Sequence, residues 1–361
     1  MERSNKEKLR IAIFAASSQV GSSVAFYLKH FTNHEPVCFI RSKYSAVFFE
    51  MAGITTISAD INDGAVLKEY LKDVDGVLDF SFPSGQIFEI PGLIEKNFEG
   101  IMGNMPAGIP FFHMSSIMAY GMPSDDKHLR SYSMPRASYG YIKRNAEQKA
   151  LAVGAKHGVP VFNYRLGQVH GFLQSVSESF REKLAAEPTA YLDGNPSDLT
   201  NTIFIPTLAE AIIKSVTGEM KPGLYTLVAS PQWTLKELYD YYLDWYQLDT
   251  MLNYKPQTAG HQVPFVAKAF SQLKKYRPLI ETYLLLKMPE TSVKIKGRFR
   301  KSEIANQVSG ESIKYVDFNL LGTPTTDVPK GINSSVANVK QVEQAMQDLY
   351  LSMLEARIVK A

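Results

Sequence analysis

The sequence predicts an α/β protein: a doubly wound parallel sheet followed by a smaller C-terminal lobe. Two observations carry this expectation. Up to about residue 170, short apolar runs rich in β-branched and aromatic residues alternate with longer stretches of helical periodicity, the rhythm of βαβ units. After residue 171 the alternation loosens into helix-forming stretches with one strand-like run at 223–228. A chain of 361 residues holds one large domain and a smaller one at the usual ~100–200 residues each.

The six runs are residues 11–14, 37–40, 54–57, 77–82, 110–114 and 159–164. Six parallel strands need five crossovers, and right-handed crossovers place helices on both faces, so the expected sheet is Rossmann-like. Ligands then sit at the carboxyl ends of the strands. Residues 9–171 form this domain. Residues 172–335 are expected to be mostly a separate lobe, with some segments returning to the core, and to carry helices at 175–186, 207–217 and 234–247. Between 249 and 335 the chain is rich in Pro, Lys and Tyr, and only a helix at 266–286, with Pro278 inside it, is placed there. In the last stretch, 336–361, Val339, Val342, Met346, Leu349 and Met353 recur at spacings of three and four. That is an amphipathic helix packing on the body or on a partner.

Composition excludes several function classes. Lys and Arg number 39 against 36 Asp and Glu, a net charge of +3, which does not argue for nucleic acid. The only cysteine is Cys38, so there is no intrachain disulfide and no cysteine-rich zinc site, and a reducing compartment fits. The seven histidines lack metal-ligand spacing, and no metal is expected. The start of the chain lacks the layout of a signal peptide, and no run reaches the ~18 apolar residues of a membrane span. The expectation is a cytoplasmic protein.

The first strand runs into Ala15-Ala16-Ser17-Ser18-Gln19-Val20-Gly21, followed by a helical pattern. A tight turn there aims the positive end of a helix and its free N–H groups at a pyrophosphate. Of the three glycines of a G-x-x-G-x-x-G turn, only Gly21 is present; Ala15 and Ser18 replace the others and narrow the approach to phosphate. The second strand ends in Arg41-Ser42-Lys43, where an NAD site carries an acidic residue for the ribose 2′-OH. The basic cluster favours the 2′-phosphate of NADP(H), with NAD(H) also compatible, unless the cluster is only a solvated loop. Asp60 and Ile61, after the third strand, are placed to meet an adenine edge, although Asp60 equally suits a helix cap for 64–71.

Tyr139 and Lys143 stand four residues apart, one turn from each other on a helical face. A phenol normally titrates near ~10, and a neighbouring ammonium favours the phenolate, which suits proton exchange near neutral pH. Upstream lies Ser115-Ser116-Ile117-Met118-Ala119-Tyr120-Gly121, and downstream Arg144-Asn145-Ala146-Glu147, then Arg165-Leu166-Gly167-Gln168-Val169-His170-Gly171. This ordered set resembles the extended short-chain dehydrogenase/reductases, the NAD(P)-dependent epimerase/dehydratase family, with its S-S-x-x-V-Y-G, Y-x-x-x-K and R-x-x-N-V-Y-G segments, over roughly residues 9–248. The resemblance implies an enzyme that moves a hydride between the nicotinamide and a carbinol or ketone carbon, of a sugar or nucleotide sugar for example. It makes Tyr139 the acid/base, Lys143 the ribose-binding residue that acidifies it, and Ser116, rather than Ser115, the hydroxyl on the substrate oxygen. It places Phe80, Ser81, Phe82, Leu166 and Gly167 along the cofactor, and Ser84, Met118 and Gln168 with Ser116 along a small-molecule substrate. It also implies a homodimer through helices at 87–105 and 136–156.

Departures matter as well. Gln168 replaces the family's substrate-contacting Asn, Thr200-Asn201-Thr202 stands where nucleotide-sugar enzymes carry Arg-Asp-Phe, and Pro206 and Thr207 replace paired acids. Ile117 and Met118 stand where dehydratases are acidic. A basic cluster, Lys294, Lys296, Arg298, Arg300 and Lys301, suits a diphosphate or a solvated loop; the resemblance makes His128, Arg130 and Arg136, in the segment before Tyr139 that borders the family's active site, candidate substrate contacts. His113, on a core strand, reads as a hydrogen-bonded buried histidine. The rival from another class is a non-catalytic dinucleotide-sensing or interaction protein, motivated by Ala15 and Ser18.

Overall fold

A computed structural model describes residues 7–41, 43–83, 89–120, 139–255 and 332–358. In chain order the first half holds β1 (Arg10–Phe14), α1 (Gln19–Phe31), β2 (Glu35–Ile40), α2 (Lys43–Met51), β3 (Thr55–Ser58), α3 (Gly64–Leu71), β4 (Gly76–Asp79), α4 (Ile90–Met102), β5 (Phe111–Ser116), a 3₁₀ turn (Ile117–Tyr120), α5 (Tyr139–His157) and β6 (Val161–Leu166). The remainder holds β7 (Gln168–His170), α6 (Ser175–Ala185), β8 (Thr189–Asp193), β9 (Thr202–Phe204), α7 (Ile205–Val216), β10 (Gly223–Leu227), α8 (Leu235–Tyr246), β11 (Met251–Lys255) and α9 (Val336–Ile358).

Seven strands make one sheet in the order β10-β6-β5-β4-β1-β2-β3, and every neighbouring pair is parallel. The direction of winding reverses between β1 and β4, the switch point at which such sheets open a crevice. Alternation along the strands feeds two cores. Ile11 and Ile13 face α1, α7 and α9, whereas Ala12 and Phe14 face α3, α4 and α5. A third apolar cluster, around Trp233, Tyr241 and Tyr242, joins α6, β8, α8 and Val339 of α9.

The structure corrects the expected layout in four places. The sheet has a seventh strand, because β10 pairs with β6, and α7 packs on α1. The fourth strand ends at Asp79 rather than residue 82, since the Asp79 carboxylate accepts the Ser81 N–H at 2.9 Å and turns the chain. Helix α3 is capped by Asp63, which accepts from Val66, and Asp60 instead accepts the backbone N–H of Asn62. Two further strand pairs, β8 with β11 and β7 with β9, were not expected. The helix expected at 266–286 lies outside the described residues.

Helix α9 packs on the body. Its Val339 and Met346 are fully buried, and Val342, Leu349 and Met353 line the first core. Among the described residues no helix is long and apolar enough to cross a membrane.

Candidate active site

The β1–α1 turn is built at the switch point. Ala15 adopts a left-handed backbone, φ 51°, the conformation a glycine takes most cheaply, and its carbonyl accepts the Ser18 N–H at 2.9 Å. Ser18 caps α1 by accepting the Gly21 N–H at 3.2 Å. Gly21 is required by close approach: a Cβ there would lie 2.9 Å from the Ala15 carbonyl oxygen and from Ser18 Oγ. The turn thus reproduces a dinucleotide-type bend without two of its glycines, and α1 points its positive end into the crevice. Behind it, Gln174 Nε2 donates to the Gln19 carbonyl at 3.1 Å and to Ser23 Oγ at 2.9 Å, and Ser175 donates to Gln19 Oε1. Ser17 is exposed and Val20 packs on the first core.

Arg41 follows β2 and is exposed. It acts electrostatically on Asp60, whose carboxyl is held below its usual range by hydrogen bonds from Asn62 and, more weakly, by Arg41 and Lys96. The two strand ends therefore face each other, as a site for one end of a cofactor requires. Ile61 packs on the second core, and its carbonyl lies against Gly100 of α4. Ser42 is outside the described residues, and Lys43 opens α2.

Tyr139 is the first residue of α5 and Lys143 lies one turn further, on the side packed against β5. Lys143 Nζ is buried and donates to the Met114 carbonyl at 2.7 Å, two residues before Ser116. The Phe82 ring, 42 % exposed, sits over both: its centroid is 5.4 Å from that of Tyr139 and 5.3 Å from Lys143 Nζ. Burial pushes Lys143 down to about 8, opposed by the charges of Asp79 and Glu147. Ser116 Oγ, at the end of β5, accepts the Met118 N–H at 3.2 Å. Ser115 donates to Glu147, so of the two serines Ser116 is the one not engaged by that carboxylate. Met118 is buried in the 3₁₀ turn, Phe80 packs on the first core, and Leu166 and Gln168 flank Gly167 at the end of β6. Ser84, His128, Arg130, Arg136 and the 294–301 basic cluster lie outside the described residues.

A family model described as the NAD dependent epimerase/dehydratase family matches residues 11–197, just over half of the chain. The protein belongs to this epimerase/dehydratase family. No curated protein matches the chain in sequence, whereas 851 chains of solved structures match its fold. A UDP-N-acetylglucosamine 4-epimerase from Bacillus cereus is 19% identical with a TM-score of 0.53, over 69% of this chain and 85% of that one. The same-named epimerase from Methanobrevibacter ruminantium M1, in complex with UDP-N-acetylmuramic acid, is 16% identical with a TM-score of 0.54, over 71% and 87%. A UDP-glucuronic acid 4-epimerase from Bacillus cereus, in complex with UDP-glucuronic acid and NAD, is 14% identical with a TM-score of 0.52, over 69% and 86%. At these identities the likeness is one of fold.

Around the crevice of this epimerase/dehydratase-family enzyme lie further buried groups beside the Tyr139 and Lys143 pair. Glu147 takes both prongs of the Arg165 guanidinium, at 2.8 and 2.6 Å, in a fully enclosed pair. Arg165 in turn lies 4.3 Å from the Tyr120 ring centroid, and Arg144 donates to the Ala119 carbonyl at 2.7 Å, so the turn after Ser116 is held from two sides. Gly167 has a packing reason of its own: a Cβ there would be 1.9 Å from the Asn201 carbonyl oxygen. His113 is buried as expected, yet neither ring nitrogen finds a hydrogen-bond partner among the described residues. The signals were an Asp closing a strand before Phe-Ser-Phe and a His in an otherwise apolar run.

Proposed function

We propose that the protein is an NAD(P)-dependent oxidoreductase or epimerase acting on a carbinol or ketone carbon of a sugar or nucleotide sugar, with Tyr139 as acid/base. The observation that carries this reading is Lys143, buried beneath Tyr139 and tied to the strand that ends in Ser116. The dinucleotide fits the residues present. The left-handed turn at Ala15, the tight seat of Gly21 and the N-terminal end of α1 would take the pyrophosphate; Arg41, Asp60 and Ile61 the adenosine end; Phe80, Ser81, Phe82, Leu166 and Gly167 the nicotinamide half. When bound, the nicotinamide supplies the hydride acceptor and donor at C4.

The chain's own groups handle the proton. As the carbinol C–H bond gives up its hydride, the hydroxyl proton passes to Tyr139 Oη, and Ser116 Oγ hydrogen-bonds the oxygen as it becomes a carbonyl. The reverse step returns the proton from Tyr139. The Lys143 ammonium favours the phenolate form of Tyr139, and the apolar Phe82 and Met118 keep water from the reacting carbon. Arg41 favours NADP(H) over NAD(H) by pairing with a 2′-phosphate. The third apolar cluster, with Gln168, forms the substrate-binding lobe. The assembly we propose is a cytoplasmic homodimer joined through α4 and α5, whose Leu93 and Leu151 are solvent-exposed.

Native mass spectrometry of the purified protein tests the cofactor by showing NAD(P) retained. Tyr139→Phe removes only the hydroxyl, and a general acid/base contributes ~10²–10⁴-fold. Turnover with the identified substrate, or with a surrogate ketone and NADPH, falls by at least that order while cofactor affinity, read by fluorescence titration, stays near wild type. Unchanged turnover would remove Tyr139 from the chemistry.

A further inference from the structure

On the sheet face beneath α5, three neighbouring strands present polar side chains in one row. Asp79, His113 and Asn163 are register partners across β4, β5 and β6, and none is more than 2 % exposed. From α5, Lys143 and Glu147 come down towards this row, with Tyr139 at the crevice end. Glu147 is spent on Arg165 and Ser115, and Arg165 stays charged because that carboxylate outweighs its burial. Arg144, on the next turn position, goes to backbone carbonyls of the 3₁₀ turn.

Asp79 differs from Glu147. One of its oxygens accepts the Ser81 N–H at 2.9 Å, and Oδ2 has no hydrogen-bond partner among the described residues. Its charge is therefore not matched by a guanidinium, and the cation within electrostatic reach is Lys143. An ammonium removed from water loses its proton unless an opposite charge compensates. The Met114 carbonyl offers Lys143 a dipole, not a charge. His113 offers none either, because burial and the nearby Lys143 hold its imidazole neutral.

We propose that Asp79 is a positioning residue: its carboxylate is the counter-charge that keeps the Lys143 ammonium protonated beneath Tyr139. This rests on the reading of Lys143 given above. Burial pushes Asp79 up to about 6 and Lys143 down to about 8, so the pair carries both charges between those limits. Below the lower limit Asp79 takes a proton and Lys143 loses its compensation; above the upper one Lys143 itself gives up its proton. Asp79 thereby sets the alkaline edge of the working range through Lys143.

The test is an NMR titration of the lysine side chains in the full chain, with Lys143 assigned by the signal missing from Lys143→Arg. Asp79→Asn keeps the shape and an acceptor for Ser81 while deleting the charge. In that variant the Lys143 transition moves down by about one pH unit or more. An unmoved transition overturns the proposal, and so does an equal shift in His113→Phe, which would assign the effect to packing. The wild-type protein carries a check that needs no variant: the Lys143 signal has a second inflection near about 6 as Asp79 titrates, and a single transition overturns the coupling. Full turnover in Tyr139→Phe would instead remove the functional reading and leave the Lys143 titration where it stands.

Discussion

Glu343 on α9 is buried inside the apolar stripe, where its Oε2 accepts the Phe172 N–H at 2.6 Å and its Oε1 has no hydrogen-bond partner among the described residues. Burial raises its carboxyl from 4.5 to about 7, against the pull of the Phe172 hydrogen bond. The fold therefore holds the proton more tightly than the unfolded chain does. At pH 4 and below both states are protonated and the group contributes nothing. As pH rises from the unfolded value towards the folded one, the unfolded chain ionises first and stability falls. Beyond about 7 both states are ionised and the whole cost stands, about 3 kcal/mol from the size of the shift. Glu343→Gln mimics the protonated form. The shift already includes the Phe172 hydrogen bond to the charged form, so the gain at pH 8 is about 3 kcal/mol, shrinking to about zero near pH 4. Urea denaturation of both proteins at the two pH values measures it, since all other titrations cancel in the difference. A gain independent of pH would show that it does not come from the titration of this carboxyl. A loss at pH 8 would show that the ionised carboxylate is the form the fold needs.

Calorimetric titration gives tighter binding of NADPH than of NADH, and Arg41→Ala abolishes the difference; equal affinities in the wild type refute the 2′-phosphate reading. Glu147→Gln leaves the enclosed Arg165 guanidinium without its charge partner and costs about 3–5 kcal/mol in urea denaturation; a cost under about 1 kcal/mol, the range of exposed pairs, means that water reaches Arg165. Light scattering at micromolar concentration gives twice the 40.4 kDa of one chain, and a mass near one chain rules out the pairing through α4 and α5.

The sheet was largely legible because each buried strand must be apolar on both faces, which concentrates residues such as Ile11–Phe14 and Phe111–Met114 into short runs between helical patterns. The position of β10 was not, since pairing with β6 joins residues some sixty apart in sequence and leaves no local trace. The Tyr139 and Lys143 pair was legible because one helical turn fixes their juxtaposition. Asp79 was hidden by the apolar run it closes: hydrophobic pattern carries the strand on through Phe80 and Phe82, and only the carboxylate's bond to Ser81 ends it. Glu343 was hidden in the same way, lying four residues after Val339 and three before Met346 on a face read from its apolar members. In both cases the informative residue was the charged one that the pattern passed over.

Helix α9 contributes Met346 to the core of the sheet, and Tyr350 meets Phe26, Phe48 and Phe172 at ring separations of 6.4, 6.0 and 5.1 Å. All seven strands of the sheet precede residue 228, so the ribosome finishes them well before it makes their last packing partner. At ~5–20 residues per second the wait is on the order of ten seconds. During synthesis the nascent sheet carries a bare aromatic face on α1 and α2, a natural landing place for a holding chaperone and a seed for association between nascent chains on one message. Losing the final turns of the chain would prolong that state for the life of the molecule, which makes solubility, before activity, the property most exposed to C-terminal truncation.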